Sequence, residues 1–265
     1  MPKILFTFFF IAFISVAAKA QTWEVGLTGG TAGYIGDLNP HNIIQVSGPS
    51  FGGFIKRNIS PYVAVKLQYM HGTIAAADST SKYPENYNRN LSFKTALDEG
   101  ALIGEFNFFK YRPSVDKNTF TPYVFLGVGA VAYNPTAVYQ GQTYDLRPLT
   151  TEGQTQQYNK IALTVPYGVG FKYNIVGKVS LIADVGYRST NTDYLDDVSG
   201  NYADKTKLPS VVAIALSDRT GERNGGLNTG SLGTQRGDLR PHDSYMFFSL
   251  SVAFTFVTPK CYFER

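Results

Sequence analysis

The chain has 265 residues, 24 Lys+Arg against 20 Asp+Glu, 14% aromatic residues and one cysteine. Without the leader residues Lys3 and Lys19 the balance is 22 against 20, too even for a charge-driven nucleic-acid binder. The lone Cys261 excludes an internal disulfide and leaves a free thiol or a bond to a partner.

Lys3, the apolar run from Ile4 to Val16 and the small-x-small triplet Ala18-Lys19-Ala20 predict an export signal over residues 1–20. Gln21 is then the first mature residue, with no cysteine there to carry a lipid. A spanning helix needs about 20 apolar residues, and no segment reaches that length.

The mature chain alternates apolar and polar residues over roughly eight segments, the period expected of strands with two unlike faces. The first strand sets Trp23, Val25 and Leu27 against Glu24, Gly26 and Thr28. A turn-rich stretch from Ile35 to Pro49 leads to a second strand, Ser50 to Asn58. Asn58-Ile59-Ser60-Pro61 is a tight turn, because proline opens a strand but cannot sit in a central ladder. The third strand, Tyr62 to Gly72, sets Val63, Val65, Leu67 and Tyr69 against Lys66, Gln68 and Met70. A polar loop to Asn90 follows.

The fourth strand sets Leu102, Gly104, Phe106 and Phe108 against Glu99, Ala101, Ile103, Glu105 and Asn107. Pro122 to Tyr133 is a fifth strand, apolar on both faces and so of open register. Beyond a loop from Asn134 to Lys160, the sixth strand points Thr164, Gly168, Gly170 and Lys172 inward. After a turn over Asn174 to Lys178, the seventh points Ser180, Asp184 and Gly186 inward. The longest loop runs from Arg188 to Asp243, with a short helix expected over Leu208 to Asp218 and Pro209 in its first turn. The eighth strand is Tyr245 to Phe256.

Long loops and short turns alternate, which suits an outer-membrane barrel whose turns face the periplasm and whose loops face outward. The expected fold is all-β: an eight-stranded, antiparallel, up-and-down transmembrane β-barrel over residues 21–256, with a periplasmic tail over 257–265 and both termini periplasmic. Glu24, Lys56, Lys66, Glu99, Glu105, Lys172 and Asp184 then form an interior charged network. Eight strands leave an interior that side chains fill, so ion pairs that hold the barrel's shape are favoured over a conduit.

Enzymatic chemistry needs a nucleophile beside a base. His71, near Ser79 and Ser81, and the loop residues His41 and His242 lack a partner at a telling spacing. Asp193, Asp196 and Asp197 lack the spaced ligands and glycine of an EF-hand loop. They are read as loop-folding acceptors, so no catalytic, cofactor or metal residue is expected. Gly29-Gly30 and Gly52-Gly53 lie in strands and mark close packing.

Several strings resemble the PorG-like outer-membrane barrels of the Bacteroidetes type IX secretion system. They are Ser60-Pro61-Tyr62, Glu105-Phe106-Asn107-Phe108-Phe109, Thr121-Pro122-Tyr123, Tyr144 to Gln154, Thr192 to Ser199, Leu216-Ser217-Asp218-Arg219, Arg236-Gly237-Asp238, Asp243-Ser244-Tyr245 and Lys260-Cys261. Ser244 departs from the tryptophan that this family has before the tyrosine. The resemblance implies a non-enzymatic secretion component, bathed in outer-membrane lipid, that tethers a periplasmic ring made of a lipoprotein and its partner protein. It also implies an intermolecular disulfide at Cys261, on the ring's side of the membrane. The alternatives are a stand-alone OmpA-like structural or surface-interaction barrel, a small-solute porin, and an outer-membrane lipid-modifying enzyme.

Overall fold

The computed structural model describes residues 22–40, 42, 44–113 and 117–256. The export signal, His41 and the Cys261 tail lie outside the described residues. Among the described residues nine strands form: β1 (Thr22–Ile35), β2 (Val46–Asn58), β3 (Val63–Ala77), β4 (Ser92–Asn107), β5 (Phe120–Tyr139), β6 (Gln142–Asp145), β7 (Ile161–Val176), β8 (Val179–Thr190) and β9 (Ser244–Phe256). Eight of them pair antiparallel with their neighbours, and β4 pairs with β5 to close the ring. β6 is a short hairpin folded back on the far end of β5. The fold is therefore a closed eight-stranded antiparallel barrel.

The alternation of polarity sets the wall. On β1, Leu27 is 77% exposed while Glu24 is fully buried. On β5, Leu126 and Val128 point out while Tyr123 and Phe125 point in. This fixes the register that two apolar faces left open. Across the ladder from Tyr123 and Phe125 stand Gly170 and Gly168. A Cβ at Gly170 would sit 2.6 Å from the Tyr123 ring, and one at Gly168 2.7 Å from Phe125.

Trp23 of β1 pairs with Phe256 of β9, so both ends of the described barrel share the end that carries the short turns. There the Ser60 Oγ accepts from the amides of Tyr62 and Val63 and closes the β2–β3 turn. At the opposite end the strands run further than the sequence suggested. β3 continues to Ala77 and β5 to Tyr139, into stretches read as loop. β8 continues to Thr190, so Arg188 belongs to the barrel wall rather than to the last loop. The helix of that loop is Val211–Ser217, and Pro209 lies before it. Its start is set by Ser210, whose side chain accepts from the Ala213 amide as an N-cap.

Candidate functional site

Seven of the residues singled out in the sequence lie on the inner wall and are buried. Five meet in the half of the barrel nearest the short turns. Lys56 reaches Glu24 at 2.7 Å and Glu105 at 3.7 Å. Glu105 also takes Lys66 at 3.1 Å and Lys172 at 2.6 Å, so one carboxylate serves three ammonium groups. Asn107 accepts a further Lys172 bond at 2.7 Å, and Asn58 donates to Glu24 and Thr22. Asp184 stands apart, accepting from the Tyr123 hydroxyl at 2.9 Å. Glu99 is also separate, paired with Arg188 at 3.2 Å and hydrogen-bonded by Tyr245.

Arg188 is the member that the sequence reading missed. Its position in register with the inward Asp184 and Gly186 is the signal that would have found it. Among the described residues the barrel wall thus buries four acids (Glu24, Glu99, Glu105, Asp184) against four bases (Lys56, Lys66, Lys172, Arg188). The remaining interior is filled by Phe54, Ala101, Ile103, Tyr123, Phe125, Ile182 and Ala253. Close approach is achieved with glycine: a Cβ at Gly26 would collide with the Phe54 ring. Charges held this way need excellent geometry to repay desolvation. They position one another.

Above the barrel the long loops fold into a cap with its own core, in which Leu195, Val198 and Leu216 pack on Tyr34, Phe93, Tyr245 and Phe247. Several of the strings that carry the family resemblance meet here. Thr151 and Tyr158 donate to Asp197 at 2.6 and 2.7 Å. Glu152 accepts from the amides of Ser199 and Gly200, and Arg236 bonds Glu152, the Asp197 carbonyl and the Ser217 carbonyl. Burial pushes the Asp197 carboxyl up to about 6, against the pull of Arg236 and its two hydroxyl donors. Despite burial, Lys205 and Thr220 hold Asp218 below the usual carboxylate range. Burial also lifts Asp193 to about 6, with the charges of Asp238 and Glu152 adding to it. Asp197 thus has the loop-folding role expected of it.

His71 lies on the outer face of β3, where its Nδ1 is 2.8 Å from Asp98 Oδ1, which also accepts from Tyr69 at 2.6 Å. The two residues are neighbours only through the β3–β4 ladder, so sequence spacing could not reveal the pair. A cleft of about 290 Å³ beside Asn39 and Tyr83 and one of about 430 Å³ beside Tyr194 and Tyr202 are lined mainly by loop residues and by none of the interior network.

No curated protein matches the sequence. Among solved structures, the chain is similar to the N-terminal β-barrel domain of Pseudomonas aeruginosa OprF, at 14% identity and TM-score 0.39 over 89% of this chain and 97% of that one. It is also similar to Neisserial surface protein A, at 10% identity and TM-score 0.40 over 89% and 97%. A major outer membrane protein from Thermus thermophilus matches at 15% identity and TM-score 0.39 over 89% and 100%. A family model matches residues 3–211, and the chain belongs to that family, described as a domain of unknown function, DUF6089.

Proposed function

We propose that this chain spans the outer membrane as a non-enzymatic, sealed structural barrel. The observation that carries this reading is the outer face of the closed wall. Leu27, Leu67, Leu102, Leu126, Leu163 and Leu250 form an exposed apolar surface around it, while Lys56, Lys66, Lys172, Glu24, Glu99 and Glu105 turn inward and Lys94 faces out only at the loop end of β4. Such a belt suits hydrocarbon, where a lipid-facing Lys or Arg costs about 2–4 kcal/mol at the midplane. A barrel closed on itself satisfies its backbone without water. The interior ion pairs and aromatic side chains favour a structural part over a porin.

The more specific reading is a component of type IX secretion that tethers a periplasmic ring, built of a lipoprotein and its partner protein, to the outer membrane. It is supported by the loop strings that resemble PorG-like barrels, several of which build the cap. In this reading the short-turn end and both termini face the periplasm, and Cys261 forms an intermolecular disulfide with the ring. A mild-detergent pull-down with mass spectrometry tests it. Recovery of the ring lipoprotein, with a thiol-sensitive band lost in Cys261→Ser, is the expected result. Recovery of the barrel alone from a strain that secretes normally without it would leave the stand-alone structural barrel instead.

A further inference from the structure

The charges under the cap are not balanced as those in the wall are. Among the described residues outside the strands, six aspartates are buried (Asp37, Asp78, Asp196, Asp197, Asp218 and Asp243) and one arginine, Arg236. Arg236 ion-pairs with Glu152 and bonds the Asp197 carbonyl, the Asp197 carboxylate takes Thr151 and Tyr158, and the less buried Arg89 and Lys205 pair with Asp78 and Asp218. That leaves Asp37, Asp196 and Asp243. They come from the turn after β1, the start of the last loop and the residue before β9. One carboxylate oxygen of each lies within 4.8 Å of the other two.

Each carboxylate is fixed by a backbone amide on one oxygen. Asp238 N–H donates to Asp37 Oδ1, Val198 N–H to Asp196 Oδ1 at 2.9 Å, and Leu195 N–H to Asp243 Oδ2 at 2.9 Å. The second oxygens are poorly served. The Tyr34 hydroxyl touches Asp196 Oδ2 and, at 3.2 Å, Asp243 Oδ1, yet it has one proton to give. Asp37, 2% exposed, leaves its buried Oδ2 with no hydrogen-bond partner among the described residues. Arg89 reaches the region but gives its donors to Asp78 and to the carbonyls of Asp37 and Arg236. Gly36 adds an independent sign. Its φ is outside the left-handed region, but a Cβ there would collide with Asp243 Oδ1 and the Tyr34 hydroxyl. The backbone thus comes in close upon the cluster, and a larger residue would fill it.

We propose that Asp37, Asp196 and Asp243, with the Tyr34 hydroxyl beside them, bind a divalent cation, calcium in preference to magnesium. An all-oxygen, anionic donor set selects hard cations. The ligand oxygens lie within 4.8 Å of one another, inside the span of two opposed calcium–oxygen bonds of about 2.4 Å. Magnesium keeps its waters and demands a near-ideal octahedron, which a buried site fed by three chain segments resists. Bound there, the ion ties the β1 turn, the last loop and the start of β9 into one rigid cap. This goes beyond the structural-barrel reading and does not depend on the secretion role.

The test uses the purified full-length protein refolded in detergent free of lipopolysaccharide, with calcium or magnesium chloride as the probe. Equilibrium dialysis should find one saturable calcium per chain, with magnesium weaker. Asp196→Asn and Asp37→Asn should lose it, and the outer-face control Asp98→Asn should keep it. At calcium about ten times its dissociation constant, tryptic cleavage of the cap should slow roughly tenfold, and chelation should restore it. Circular dichroism checks that each variant retains the barrel. Wild-type protein that binds no calcium at millimolar concentration overturns the proposal even if every variant misfolds. So does binding that the Asp196 and Asp37 variants leave unchanged, and equal or tighter magnesium binding overturns the calcium preference.

Discussion

Inside the barrel wall four acidic side chains face four basic ones; under the cap six buried aspartates share one buried arginine. The wall's buried charges lie inside a tube whose outer face is mainly apolar, with the His71–Asp98 pair outside it, and each buried cation has an anion within reach. The cap binds most of its anions through hydroxyls, amides and a few cations at its edge. Balance within the wall is what a shape-holding plug requires. Surplus within the cap is what a cation site requires.

The comparison can be broken most sharply at Glu105, which serves Lys56, Lys66 and Lys172 together. Glu105→Gln leaves buried ammonium groups short of their anion and is expected to cost about 3–5 kcal/mol, read from denaturant unfolding in detergent. Adding Lys172→Met should return part of that loss, because the coupled pair fails additivity. An outward change tests the other face of the wall: Leu126→Arg should cost about 2–4 kcal/mol in bilayers if this position lies near the midplane, and little in aqueous detergent. In the cap, Thr151→Val removes one hydroxyl donor from Asp197. It should cost about 1 kcal/mol, seen as faster cap proteolysis with the barrel transition unchanged. The smallest effect is expected at Ser210→Ala, about 0.5–1 kcal/mol through loss of the N-cap, measured by hydrogen exchange at Ala213.

The wall was largely legible because a half-buried strand writes its two faces in alternate residues. Leu102 and Phe106 against Glu99 and Glu105 is such a reading, and the structure places them on opposite faces. Where both faces are apolar, as over Pro122 to Tyr133, period two has nothing to distinguish. The choice falls to Gly168 and Gly170, which leave room for Phe125 and Tyr123. The β5–β6 hairpin is hard to see in the sequence because Gln140-Gly141 is a weak form of the usual turn pair. Both residues adopt positive φ, 50° and 77°, as a type I′ turn demands. The acidic cluster was least legible. Asp37 is far from Asp196 and Asp243 in the chain, and only closure of the β1–β9 ladder brings it to them. Asp196 and Asp197 are adjacent yet diverge: one turns to Tyr34, the other to Thr151 and Tyr158.

The most direct test of a membrane-spanning barrel is quenching of a fluorophore on the outer face. In a Cys261→Ser background, Leu126→Cys carries an environment-sensitive label and the protein is reconstituted into bilayers. The account predicts quenching by bromine on the lipid acyl chains and protection from aqueous iodide. Iodide quenching without any effect of brominated lipid would contradict it.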